Sequence, residues 1–212
     1  MKTNARFLVY SSNTQPPIPM TIPLTLPRSG TFSDQELVEF CAENPDTSIE
    51  RDEHGRISID MSPSYILTSS NNSELTTEIG LWNRKTKAGK VIDSNGGFFL
   101  RDRSMRAPDV AWIWRERWDA LSEGEKKSIP YLVPDFVIEL LSETDRLKKT
   151  QKKMEKWIKN GVRLAWLVNT RRQQTEICRP GQPAEIQPFS ATLSGETVLE
   201  GFETVLADIL EV

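Results

Sequence analysis

The chain has 212 residues, 37% of them hydrophobic and 27% charged, and a net charge of −3. That is enough for a domain of ordinary size with a real core, and it excludes a polycation, so any contact with nucleic acid must come from a local basic surface. The single histidine, His54, excludes a multi-histidine metal site, and two distant cysteines, Cys41 and Cys178, give neither a metal spacing nor a disulfide framework, which suits a reduced, cytoplasmic setting.

Pro16, Pro17, Pro19, Pro23 and Pro27 lie among polar residues, which predicts a flexible arm over residues 1–31, with Met20 as a second candidate start. No run reaches the roughly 18 apolar residues of a membrane span, so no membrane segment is expected. Ser33 and Glu36 form a capping box, and Leu37, Phe40 and Cys41 continue a helical stripe that Asn44-Pro45 ends. Thr47 to Arg51 and Arg56 to Met61 flank Asp52-Glu53-His54-Gly55, a hairpin that puts His54 in a solvated turn rather than in a catalytic role. A second helix is expected from Asn72 to Lys87, with Leu75, Ile79 and Trp82 on its apolar face. Glu74 and Glu78 share a stripe beside that face, either as a solvated edge or, Glu74 before Glu78, as an extra acid near a metal site.

Lys90 to Ile92 and Gly97 to Leu100 flank Asn95-Gly96, a hairpin signal. Ala107 to Ile113 is an apolar strand with an acid, Asp109, near its start, and a helical turn is expected from Arg117 to Leu121. Val133 to Ser142 reads as a buried central strand, rich in Val, Ile and Phe, with Glu139 in its middle. A helix capped by Thr144 or Asp145 runs to about Asn160, with Gly161 at its end, followed by strands over Val162 to Val168 and Thr175 to Cys178 and a small hairpin with a short helix near Val205 to Leu210.

A carboxylate inside a buried strand is costly unless something pairs it, and a metal ion is a common reason to keep one. Asp135 shares a face with Glu139 but stands four residues away, roughly 13 Å, too far for one ion to bridge, so it is expected to be structural. Asp109 lies on another strand. If the two strands are neighbours, Asp109 and Glu139 face each other, and two carboxylates so placed favour a hard cation, Mg²⁺ or Mn²⁺. Among the lysines of the helix after Glu139, Leu147, Met154, Trp157, Ile158 and Gly161 define the inward arc. Lys153 stands at its edge and can reach inward, Lys149 is second, and Lys148, Lys152, Lys156 and Lys159 face solvent or a DNA backbone.

Pro108-Asp109, Asp135 to Ser142, Lys153 to Trp157 and Gly161 to Asn169, together with Ile57 to Pro63, Trp82-Asn83-Arg84 and Arg179-Pro180-Gly181, resemble the putative restriction endonuclease family abundant in cyanobacteria, a branch of the PD-(D/E)XK nuclease superfamily. The resemblance implies an α/β (α+β) fold, restriction endonuclease-like, with a mixed β-sheet core flanked by helices. It implies one nuclease domain over residues 32–212. Its acids fall on Asp109 and Glu139, and Glu74 matches an acid that the family often carries on its early helix. The superfamily lysine stands two residues after the glutamate, where this chain has Leu141; in this family the lysine matches Lys153 on the following helix.

The expected function is a Mg²⁺- or Mn²⁺-dependent DNA endonuclease, with Asp109 and Glu139 on the metal and Lys153 assisting, and with a homodimer suited to double-strand cleavage. Two alternatives stand beside it. One is a DNA-binding module on a nuclease scaffold that has lost catalysis. The other is an interaction protein in which Arg101, Arg103 or Arg106 neutralises the acids.

Overall fold

The computed structural model describes residues 5–7, 20–22, 32–45, 47–61, 65–141 and 145–212. By its internal contacts the chain divides into two units, Met1–Ile49 with Ile59–Ser62, and Glu50–Ser58 with Pro63–Val212. In the first unit, the short strands β1 (Ala5–Phe7) and β2 (Met20–Ile22) pair antiparallel; the rest of the expected flexible arm lies outside the described residues. Helix α1 (Asp34–Glu43) begins at the capping box as its sequence dictates, with Glu36 N–H donating to Ser33 Oγ and Ser33 N–H to Glu36 Oε2. Leu37 and Phe40 are its buried side chains, and the Phe32 ring packs tilted against Phe40.

Strands β3 (Thr47–Arg51) and β4 (Ile57–Met61) form the predicted hairpin, and its tip, Glu50 to Ser58, belongs to the second unit. There Asp52 closes the turn, taking N–H groups of His54 and Arg56 on one carboxylate oxygen. His54 is exposed. Helix α2 (Ile66–Thr86) starts about two turns earlier than its apolar stripe suggests. Strand β5 (Gly89–Ile92) follows, then β6 (Phe98–Phe99), β7 (Met105–Arg106) and β8 (Val110–Trp114). Asn95-Gly96 does make a turn, with Gly96 N–H on Asp93 O, yet the expected hairpin does not form. β5 pairs with β8 instead, and β6 pairs with β7, with Phe98 and Phe99 buried. Gly89 is required at its place in β5: a Cβ would meet Ile113 O at 2.2 Å.

Two short helices, α3 (Arg115–Asp119) and α4 (Glu123–Lys126), lead to the central strand β9 (Phe136–Leu141), buried at every residue. Helix α5 (Leu147–Asn160) crosses to β10 (Leu164–Asn169), which lies parallel to β9. Gly161, at φ +114°, ends the helix in a conformation that side-chain-bearing residues rarely adopt. The N-cap of α5 is Arg146, without a side-chain cap bond, rather than the expected Asp145; Thr144, the other expected cap, lies outside the described residues. Strands β11 (Gln174–Cys178) and β12 (Glu185–Pro188) complete a six-stranded mixed sheet of order β12-β11-β10-β9-β8-β5. The chain closes with the hairpin β13 (Thr192–Ser194) and β14 (Glu203–Val205) and a 3₁₀ turn, Leu206–Asp208.

Strand alternation divides the core into two layers. On one face of the sheet Val110, Trp112, Phe136, Ile138, Trp166 and Val168 pack with Leu75 and Ile79 of α2 and with the C-terminal Leu199, Phe202 and Leu206. On the other, Ala111, Ile113, Val137, Leu141, Ala165 and Leu167 pack with Met154 and Trp157 of α5. Among the described residues no helix is long and apolar enough to cross a membrane.

Candidate active site

The register of β8 against β9 pairs Val110 with Ile138, Ala111 with Val137 and Trp112 with Phe136. Carried one residue further, it sets Asp109 opposite Glu139, and opposed residues of an antiparallel pair share a face. That face is the one α5 covers, since Val137 and Leu141, the alternate residues of β9, pack with Met154 and Trp157. Asp109 stands just before β8, where the chain is no longer paired, and its Oδ2 accepts the Leu140 N–H at 2.7 Å. Its Oδ1 takes no hydrogen bond among the described residues.

Glu139 is 5% exposed and bonded at both oxygens. Trp157 Nε1–H donates to Oε1 at 2.7 Å, and Lys153 Nζ to Oε2 at 2.9 Å. Lys153 and Trp157 are one helical turn apart on α5, so the same stripe delivers a cation and a neutral donor to one carboxylate. The ammonium has two further acceptors, Glu50 Oε1 at 2.8 Å and Ala107 O at 3.0 Å. Glu50 Oε1 also accepts the Ala107 N–H at 3.1 Å, and its other oxygen lies 3.7 Å from Arg106. Residue 107 thus clamps Glu50 with its N–H and Lys153 with its carbonyl, directly before Pro108-Asp109.

The charges follow from this geometry. Burial raises the Asp109 carboxyl above its ordinary value, against the Leu140 N–H and Lys153. Burial also pushes Glu139 up to about 8, opposed by Lys153 and reinforced by the charges of Asp109 and Glu50. Glu50 pays the same burial penalty, but Lys153, Arg106 and the Ala107 N–H together hold it below the carboxylate range. For Lys153, burial disfavours the charge and is outweighed by Glu139 and Glu50, so its pKa rises.

Lys153 therefore reaches Glu139 from the edge of the helix stripe, and Asp109 and Glu139 stand opposed. Lys148, Lys149, Lys152 and Lys159 are exposed, and Lys156 pairs with Glu53. Glu74 is exposed on α2, whose buried Leu75 and Ile79 pack on the other face of the sheet; among the described residues no hydrogen bond or ion pair joins it to Asp109 or Glu139. Asp135 holds the strand start, accepting the Trp114 N–H at 2.9 Å and pairing with Arg117 at 2.8 Å. Arg106 serves Glu50 and Glu53 rather than either site acid.

Two contributors were not singled out by sequence reasoning. Glu50 sits in a strand of mixed polarity, Thr47-Ser48-Ile49-Glu50-Arg51, with nothing local to mark its partner 103 residues away. Trp157 reads as a core residue, yet a buried indole needs an acceptor for its N–H, and Glu139 supplies it.

The donor set suits a hard divalent cation. Glu139 and Glu50 bind the one ammonium directly, and Asp109 stands opposite Glu139; burial holds the carboxyls of Asp109 and Glu139 above their ordinary range. Mg²⁺ and Mn²⁺ take one or two carboxylates and complete their shell with water or phosphate oxygens. Among the described residues no group of three or more His, Cys, Asp or Glu side chains is disposed to hold a metal ion.

The profile of the Uma2 family, described as "putative restriction endonuclease", matches residues 34–209. A comparison with curated proteins finds no match. Among solved structures, "a putative nuclease belonging to DUF820" from Anabaena variabilis ATCC 29413 aligns with a TM-score of 0.68 at 20% identity, over 81% of this chain and 96% of that one. At that identity the likeness shows the fold, a restriction endonuclease-like mixed sheet flanked by helices. The chain belongs to the Uma2 family of putative restriction endonucleases.

Proposed function

We propose that the protein is a metal-dependent DNA endonuclease that hydrolyses phosphodiester bonds. The observation that carries this is the opposition of Asp109 and Glu139 on one face of the sheet, with Lys153 Nζ 2.9 Å from the glutamate. Asp109 and Glu139 would hold Mg²⁺ or Mn²⁺. Such an ion, when bound, polarises the phosphoryl group and stabilises negative charge as the ester bond breaks. The rest is the work of the chain. Leu140 N–H fixes the Asp109 carboxylate, Trp157 orients Glu139, and Lys153 offers an ammonium to the charge developing on the phosphate. The exposed lysines of α5, Lys148, Lys149, Lys152 and Lys159, suit contacts with a DNA backbone, and a homodimer would present two sites to two strands.

The test is cleavage of plasmid, linear, branched and single-stranded DNA with Mg²⁺ or Mn²⁺. Activity in the wild type, abolished by Asp109→Asn and by Glu139→Gln, is the expected result. No cleavage of any substrate, or cleavage unchanged by Asp109→Asn, would overturn it.

One observation favours a second function, a DNA-binding module without catalysis. All three protons of the Lys153 ammonium have protein acceptors, and the strand position that carries the superfamily lysine is the buried Leu141. That function predicts salt-sensitive DNA retention, unaffected by Glu139→Gln, in a protein that cleaves nothing.

A further inference from the structure

A lysine two residues after Glu139 would share its face by strand alternation and need no other anchor. Lys153 instead comes from α5, on a flexible four-carbon stem, across the layer between helix and sheet. Something has to fix where that stem ends. Glu139 cannot do so alone, because one of its oxygens belongs to Trp157 and the carboxylate is itself buried. Glu50 makes the shortest of the three contacts to Nζ, at 2.8 Å against 2.9 Å for Glu139 and 3.0 Å for Ala107 O. It is fixed in turn by the Ala107 N–H and by Arg106. It lies on the β3–β4 hairpin tip, an element that carries neither site acid, and makes no hydrogen bond to Asp109 or Glu139 among the described residues.

We propose that Glu50 is a positioning residue, which holds the Lys153 ammonium at the Glu139 carboxylate and so lets a helix lysine serve where a strand lysine is missing. The chemical purpose of that placement rests on the nuclease function proposed above; the placement itself does not. Glu50 touches no reacting atom, and its direct contact with the site's side chains is the one to Lys153.

The test uses the full chain, free of DNA and divalent ions. Lysines are acetylated with a limiting reagent under native conditions, and the rate at each lysine is read by peptide mass spectrometry. In the wild type, Lys153 reacts more slowly than the exposed Lys148 and Lys152. Glu50→Gln raises the Lys153 rate about tenfold, the factor that a hydrogen bond to a charged group is worth. The rates at Lys148, Lys152 and Lys159 stay within about twofold, as expected for sites with no shared partner. Glu50→Asp keeps the charge but retracts it by one methylene, and raises the Lys153 rate by a smaller factor. An unchanged Lys153 rate in folded Glu50→Gln overturns the proposal. Should Glu50→Gln fail to fold, Glu50→Asp decides alone: a faster Lys153 supports the proposal and an unchanged one overturns it. In the cleavage assay Glu50→Gln lowers kcat while KM stays within about twofold. A wild type that cleaves nothing would remove the nuclease function and leave the labelling result standing.

Discussion

Replacing Glu139 by glutamine asks whether the acid in the middle of β9 is kept for stability or for chemistry. Glu139 is 5% exposed, and burial lifts its pKa from 4.5 to about 8 against the pull of Lys153. The unfolded chain therefore releases this proton at lower pH than the folded chain does. Stability that is fully present below about pH 4.5 is lost as pH rises through about 8. At about 1.4 kcal/mol per pH unit the loss is at most about 3 kcal/mol by pH 7, and at most about 5 kcal/mol above pH 8. Glutamine imitates the protonated carboxyl, because its amide oxygen can still take the Trp157 N–H, and Lys153 keeps Glu50 and Ala107 O. Urea denaturation in a chelator, near pH 5, 7 and 9, measures the effect. The variant should match the wild type within about 1 kcal/mol near pH 5 and exceed it by about 2–3 kcal/mol near pH 7. A loss of about 3–5 kcal/mol near pH 7, the usual cost of breaking a buried pair, would refute the argument and make Glu139 a structural anchor for Lys153.

Lys153→Met should destabilise the metal-free protein by about 3 kcal/mol or more, as one partner of a buried cluster is removed. It should also tighten divalent binding by freeing Glu139 Oε2, and abolish cleavage; weaker divalent binding by calorimetry would contradict this. Divalent affinity in the wild type should rise with pH below about 8, by up to about tenfold per unit, because the ion must displace the proton of Glu139. Calorimetry in buffers of different ionisation enthalpy detects the released proton, and a flat affinity across that range would sink the prediction. Asp135→Ala, which strips the Trp114 N–H and Arg117 of their acceptor, should cost about 2–3 kcal/mol while leaving divalent binding intact. A loss of divalent binding in folded Asp135→Ala would mean that the strand start and the candidate site are coupled.

The parts of the fold that were legible are those whose signal is local. The Ser33–Glu36 box, the unbroken apolar run of β9 and the Met154–Trp157 stripe of α5 each carry their instruction within a few residues. Asn95-Gly96 misled because a turn signal states where the chain bends, not which strands it joins. The strands that pair, β5 with β8 and β6 with β7, are joined by tertiary contacts, and Phe98 and Phe99 are buried in them. For the candidate site, Glu139 was legible as a charge in an apolar strand and Lys153 as a charge at the edge of an apolar arc. The opposition of Asp109 and Glu139 rested on the supposition that β8 and β9 are neighbours, which sequence periodicity cannot supply. Glu50 was out of reach, since its reason for being charged lies on a helix 103 residues later.

That separation has a consequence for how the candidate site is built. Leu141, two residues after Glu139 on the same face, is 1% exposed and belongs to the apolar layer under α5 with Met154 and Trp157. A charge there would have to be paired inside the core, whereas Lys153 stays one-fifth exposed at the layer's rim. The core beneath Glu139 is thus apolar, and the Lys153 ammonium reaches the carboxylate from the side. The site draws on four segments at once: the residues before β8, the strand β9, the helix α5 and the hairpin tip at Glu50. The unfolded chain holds none of these together, so a cation bound by Asp109 and Glu139 would bind the folded state alone and stabilise it in proportion to its affinity. A divalent-dependent rise in melting temperature, absent in Glu139→Gln, is thus the direct thermodynamic signature of a site assembled only by the tertiary fold.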